Sequence, residues 1–339
     1  MMLKLVQTLL ARLPAEAAHD LGMKLLRLMP YNIGFGDERL YVDTWFGRLK
    51  NPIGLAAGFD KAGECVKHLE KLGFGYLVVG TVTKNLRKGM KKPRIVRRRS
   101  EESLVNAMGF PNPGLKKFVQ NLAMSGNSGI PVLVSVSDED VENLLECYRE
   151  VQPFASGVEV NISSPNTPQL RHYFQLEKFK QVAEALHQHK RRPTYLKIPP
   201  YTNSEERDLI YKIVNTWHDT GFEGVTAVNA LLVEEPRVSA RRGGLSGRPL
   251  YPRMIKCVKE VRSMYGEDFE IHAVGGIFTG EDVLNTLMNG ANTVQIYTAL
   301  AYRGATAVRD MLKELLQTMQ YKNIHSLKHL WKTVQQTHQ

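Results

Sequence analysis

A chain of 339 residues, 43% hydrophobic, carries enough apolar side chains to close one large α/β core, and its three cysteines are too few for a disulfide-built fold. The net charge of +11 calls for an anionic surface or ligand, but no aromatic-interleaved basic stripe or helix-turn-helix pattern accompanies it, which sets nucleic acid aside. Cys65, Cys147 and Cys257 lack metal-like or redox spacing, so no metal is expected, and no apolar run reaches the roughly 20 residues of a membrane span.

In chain order, Leu3, Val6, Leu9, Leu10 and Leu13 form one apolar stripe, and Leu21, Leu25, Leu26 and Met29 form another, with Lys and Arg between them. Two short amphipathic helices follow from that spacing. Ahead of a barrel they have no barrel core to complete, so residues 1–40 are expected to be a module lying on a membrane or covering a lipidic ligand. Capping the barrel floor, or docking a partner, is the alternative. Residues 41–339 are then the catalytic unit, ending in a basic tail. The Lys- and Arg-dense segment from Lys84 to Arg99 reads as a solvated loop or as attraction to anionic lipid.

Short apolar strands are expected near Ile53–Ala57, Tyr76–Val79, Val132–Val136, Val158–Ile162, Thr194–Ile198, Val225–Val228, Ile271–Val274 and Thr293–Tyr297. Helical patterns lie between them, at Glu64–Leu72, Asp138–Glu150, Leu176–His189, Glu205–Thr220, Arg253–Tyr265, Glu281–Asn289 and Ala305–Met319. Eight β-then-α units describe a closed (β/α)8 TIM barrel. An open doubly wound sheet is the alternative, disfavoured because no Gly-rich dinucleotide fingerprint opens the first helix.

Polar and glycine-rich clusters sit where these strands stop. The run Val158-Glu159-Val160-Asn161-Ile162 ends in Ser163-Ser164-Pro165-Asn166-Thr167, which delivers two amides and two serines on a loop stiffened by proline. Asn51-Pro52-Ile53-Gly54-Leu55-Ala56-Ala57-Gly58-Phe59-Asp60-Lys61 ends in small residues and a lysine, which suits close approach of a flat anionic ring. Gly243-Gly244-Leu245-Ser246-Gly247-Arg248-Pro249-Leu250, Val274-Gly275-Gly276-Ile277 and Gln295-Ile296-Tyr297-Thr298 complete the set; the last two follow strands seven and eight, where such barrels often hold a phosphate. Each cluster alone also reads as ordinary turn chemistry. Lys197, ending strand five, reads either as a charge-stabilising group or as a Schiff-base nucleophile.

Together these five motifs, in this order and spacing, resemble the flavin-dependent dihydroorotate dehydrogenases over nearly the whole chain. The resemblance implies one FMN per chain, contacted by Ala57, Gly58, Thr81, Asn161, Lys197, Ser246 and Gly247, with its phosphate on Gly275, Gly276, Tyr297 and Thr298. It implies a dihydroorotate site built from Lys61, Asn106, Asn166 and Asn229. Ser164 would be the base, with Thr167 and Phe110 framing a water relay. Serine rather than cysteine at position 164 points to the quinone-using class, which acts in de novo pyrimidine biosynthesis, with His19 and Arg97 at the inner end of a quinone tunnel. The location implied is peripheral, on the cytoplasmic face of a bacterial inner membrane, with a mitochondrial inner membrane the alternative. The oligomeric state stays open, with a monomer the working expectation.

The chain also departs from that family. After strand three the family usually carries Asn-x-Gly-Lys-Asn, whereas this chain places Ser135 and reads on through Val136, Ser137 and Asp138. After strand six a Thr-Asn-Thr becomes Val228-Asn229-Ala230, and Pro111 stands where an asparagine commonly follows Gly-Phe. These changes leave open a paralogous flavoprotein with another substrate, an FMN-binding protein without this turnover, and a Schiff-base lyase using Lys197.

Overall fold

The computed structural model describes residues 2–30 and 32–330, without the side chains of residues 2–6 and of His329. The side chains of Leu3 and Val6, and the C-terminal tail from residue 331, therefore lie outside the described residues. Helices α1 (Met2–Arg12) and α2 (Ala15–Arg27) come first. An antiparallel hairpin follows, β1 (Val42–Thr44) with β2 (Gly47–Leu49), and its Phe46 ring meets Tyr76, Tyr195 and His272 inside the barrel floor.

The chain then runs β3 (Ile53–Leu55), α3 (Val66–Glu70), β4 (Tyr76–Val82), β5 (Ile95–Arg98), β6 (Ser103–Asn106) and α4 (Leu115–Ser125). Next come β7 (Val132–Val136), α5 (Val141–Val151), β8 (Gly157–Val160), α6 (Leu176–Gln188), β9 (Thr194–Ile198), α7 (Ser204–Asp219) and β10 (Gly224–Ala227). The remainder is β11 (Leu231–Glu234), β12 (Arg242–Gly247), α8 (Tyr251–Tyr265), β13 (Glu270–Val274), α9 (Gly280–Met288), β14 (Thr293–Ile296), α10 (Thr298–Arg303) and α11 (Ala307–Tyr321). Strands β3, β4, β7, β8, β9, β10, β13 and β14 close a parallel barrel, and these are the eight strands expected from the sequence. Their runs are apolar because both faces are covered, one by the helices and one by the packed interior.

A second sheet was not foreseen. Strands β11, β12, β6 and β5 pair antiparallel in that order, built from excursions after β4 and after β10. The segment read as a solvated basic loop therefore contains a strand: Ile95 pairs with Asn106, and several of its arginines are paired. Arg94 meets Glu16 at 2.7 Å, Arg87 meets Glu139 at 2.7 Å and Arg98 meets Glu235 at 2.9 Å. This sheet also gives α2 a partner. Leu26, Met29 and Ile33 are buried with the main core, so the barrel completes part of the apolar face expected to need a membrane. Leu9, Leu21, Leu25 and Leu28 stay exposed, Leu28 at 78%.

The barrel interior is polar at its floor. Glu270 accepts hydrogen bonds from the Tyr195 hydroxyl at 2.6 Å and the Trp45 amide at 2.8 Å, while His272 meets Thr293 at 2.7 Å. Burial raises the Glu270 carboxyl from its ordinary 4.5 to about 7, and burial lowers His272 to about 3. A carboxyl raised on folding binds more protons folded than unfolded, so its contribution to stability is lost as pH rises from about 4.5 to 7. His272 acts oppositely as pH falls below 6.5. Glu270→Gln is expected to stabilise the protein above pH 7 by on the order of 3 kcal/mol and to change little at pH 4. Thermal melts across that range check it; an equal effect at both ends would show that charge is not the cause.

Candidate active site

The C-terminal ends of the barrel strands and the β6–β12 edge of the second sheet enclose a cavity of about 180 Å³. Of the residues singled out in the sequence, Ala57, Gly58, Lys61, Thr81, Asn106, Phe110, Asn161, Ser164, Asn166, Lys197, Asn229, Ser246, Gly247, Gly275, Gly276, Tyr297 and Thr298 all line it. Thr167 lies one layer back, its hydroxyl donating to Ser164 Oγ at 3.5 Å. His19 and Arg97 line a different cavity.

Local structure fixes each group. The buried Asp60 carboxylate accepts from the backbone amides of Ala62, Glu64 and Cys65, which holds the loop carrying Lys61. Burial pushes the Lys61 ammonium down to about 8, against the pull of Asp20, Glu16 and Asp60. The asparagines orient one another: Asn166 Nδ2 donates to Asn106 O at 3.0 Å, and Asn229 Nδ2 donates to Asn161 Oδ1 at 3.2 Å and Ser163 Oγ at 3.0 Å. Ser163, next to Ser164 in the chain, is spent on structure, since its hydroxyl donates to Lys197 O at 2.7 Å. Phe110 adopts a positive φ of 53° to reach the wall.

The departures fall into two groups. Pro111, Val228 and Ala230 face the cavity. Ser135 does not: it is fully buried behind Thr81, whose hydroxyl it meets at 3.0 Å.

A second cavity, of about 380 Å³ and mostly apolar, lies between α1, α2 and the barrel. Leu10, Ala18, Met23, Leu26, Ala301 and Ala305 contribute to its walls, with His19 and Arg97 among the few polar groups. Burial drives the His19 imidazole down to about 3, with the Lys61 charge adding to it. Arg97 Nη1 donates to Leu13 O at 2.6 Å. The two cavities share walls at Ile95, Leu104 and Tyr297, and the rings of His19, Phe59 and Tyr297 follow one another at centroid distances of 4.8 and 5.5 Å. Ile95, Leu104 and Phe59 were missed in the sequence because an apolar residue beside charged ones carries no signal of what it separates. Glu159 was missed too, although a carboxylate in the inward frame of an apolar strand is a legible signal.

A closed eight-stranded parallel barrel with a polar cavity at its C-terminal mouth is the architecture of TIM-barrel enzymes. The chain belongs to the dihydroorotate dehydrogenase family, whose model, described as Dihydroorotate dehydrogenase, matches residues 39–319. A dihydroorotate dehydrogenase (quinone) of Paraburkholderia xenovorans is 36% identical, over 92% of this chain and 98% of its own. One from Chloroflexus aurantiacus is 33% identical, over 91% and 93%. A crystal structure of DHODH from Eimeria tenella in complex with ferulenol superposes with a TM-score of 0.85 at 29% identity, covering 93% of this chain and 94% of that one.

This family is flavin-dependent, and the cavity fits a flavin. Gly247 and Gly276 line the cavity with bare backbone, and both must be glycine, since a Cβ on Gly276 would lie 2.7 Å from Tyr251 Cβ and one on Gly247 would lie 2.3 Å from Glu102 O. The buried Gln295 amide lines the cavity beside the Tyr76 hydroxyl and has no well-formed hydrogen bond among the described residues; a planar heterocycle with a donor and an acceptor would satisfy it.

Proposed function

We propose that this chain oxidises dihydroorotate to orotate with FMN and passes the electrons to a membrane quinone, a step of de novo pyrimidine biosynthesis. The observation that carries the reading is the pair of cavities, one furnished with Lys61, Lys197 and four asparagines and the other almost wholly apolar, separated by shared side chains at Ile95, Leu104 and Tyr297. A polar substrate and a greasy electron acceptor each find a matching wall.

In this reading Ala57, Gly58, Thr81, Asn161, Ser246 and Gly247 hold the cofactor, and Gly275, Gly276, Tyr297 and Thr298 hold its phosphate. When bound, FMN supplies a two-electron acceptor. The chain does the rest. Lys61 meets the substrate carboxylate, and Asn106 and Asn166, oriented by the bond between them, and Asn229, held by Asn161 and Ser163, meet the ring amides. Ser164 Oγ takes the proton from the substrate carbon. Serine is a weak base, so the proton must leave; Thr167, with Phe110 opposite, frames that exit. Ser164 and Thr167 also line a third cavity, of about 640 Å³, on the other side of the loop, which gives the proton a path outward. Lys197 is paired with Glu159 at 3.3 Å, and membership of the dihydroorotate dehydrogenase family disfavours the Schiff-base reading of it.

His19 and Arg97 are assigned to the quinone head. No helix among the described residues is long and apolar enough to cross a membrane, so contact falls to the exposed leucines of α1 and α2 and to the positive charge. The location proposed is peripheral, on the cytoplasmic face of a bacterial inner membrane, and the protein acts as a monomer.

The test is an absorption spectrum of the purified protein taken without oxygen. A flavin spectrum that bleaches on adding dihydroorotate and returns on adding quinone supports the reading; a flavin that ignores dihydroorotate removes it. If Val228 and Ala230 weaken the site, restoring threonine at both should tighten orotate binding by about tenfold or more, the worth of a regained hydrogen bond to a charged ligand. Ser135→Asn should add little, because that side chain stops behind Thr81. Calorimetric titration of orotate into each variant decides; weaker binding in the double variant would mean the pocket is tuned as it stands.

A further inference from the structure

Strand alternation turns Glu159 of β8, and Asn161 just past its end, inward, together with Tyr195 and Lys197 of β9. Lys197 reaches the floor of the polar cavity, and Glu159 lies one rung below it, wholly buried. The two side chains meet at 3.3 Å, and Glu159 Oε2 has no hydrogen-bond partner among the described residues. A buried ion pair contributes little net stability, since both ions lose their hydration, and one with an unsatisfied oxygen contributes less. Packing alone does not account for a carboxylate here.

We propose that Glu159 is a positioning residue for Lys197: it fixes that ammonium at the cavity floor and cancels part of its charge, thereby setting the midpoint potential of a flavin bound in the cavity. The proposal rests on the flavin reading above. The other ionisable groups around this pair are Tyr76 on β4, Tyr195 on β9, Glu270 and His272 on β13, and Lys61 at the cavity wall. Tyr195 is committed to Glu270 and His272 to Thr293. Glu159 is therefore the carboxylate in direct contact with Lys197.

The test is a dye-equilibrated redox titration of the flavin-loaded protein at pH 7, in the parent and in Glu159→Gln, which keeps the shape and removes the charge. At a fixed potential the ratio of reduced to oxidised flavin should rise at least tenfold, about 30 mV upward for a two-electron couple. In a Lys197→Met background the same substitution should shift that ratio less than threefold. An unchanged or lowered potential with flavin bound overturns the proposal, and so does an equal shift in both backgrounds. Where Glu159→Gln fails to fold, Glu159→Asp withdraws the carboxylate from Lys197 without removing it, and a rise of the same sign is expected; none overturns the proposal. A parent that binds no flavin is seen before any variant is made, and refutes the flavin reading instead.

Discussion

Ser164→Ala protein should keep its flavin and lose roughly 10²–10⁴-fold in the rate at which dihydroorotate reduces it, the range for a missing acid–base group. The substitution leaves the surroundings standing. Asn166 still donates to Asn106, Asn229 still donates to Asn161, and Ser163 still anchors the loop to Lys197 O, so ligand binding should be nearly unchanged. Stopped-flow absorbance under nitrogen separates the two quantities, and an unaltered reduction rate would remove Ser164 as the base. Ser164→Cys should retain part of the rate with a pH profile displaced toward neutrality, because a thiol titrates there and an alcohol does not.

Removing residues 1–13 should all but abolish reduction of long-chain quinones while sparing reduction of the flavin by dihydroorotate. Gln7, Leu10 and Ala11 wall the apolar cavity, and Gln7 ties α1 to Tyr302 O at 2.8 Å. Opening that wall to water costs a prenyl tail the burial of about 150 Å² of apolar surface, or about 4 kcal/mol and a thousandfold in affinity. A short, water-soluble quinone should be reduced much as before. Steady-state assays with both quinones decide the matter, and full turnover of the long-chain substrate would assign the helix another task. The position of the cut matters. Deletion through residue 35 would also strip Leu26, Met29 and Ile33 from the barrel core, at about 2–5 kcal/mol for each large side chain, and would confuse lost stability with lost quinone access.

The eight barrel strands are legible along the chain because a parallel strand covered on both faces must be a short, nearly unbroken apolar run, as Ile53–Leu55 and Val132–Val136 are. The polar and glycine clusters of the mouth are legible for the same reason: an abrupt Ser-Ser-Pro-Asn after Val158–Ile162 has no place inside a core. Composition and local pattern determined that much.

Contacts between distant segments decided the rest. The second sheet depends on Asn106 meeting both Ile95 and Gly244, and a four-residue strand set among arginines has no period long enough to announce itself. That sheet binds α2 to the barrel and separates the two cavities with Ile95 and Leu104. The pairing of β4 with β7 likewise leaves Ser135 behind Thr81 rather than at the ligand. The Glu159–Lys197 pair joins two strands whose register alone brings the charges together. Sequence sets what each segment can bury. Which charge faces which, and which side chain stands between two cavities, is settled only when closure of the barrel fixes the register of every strand at once.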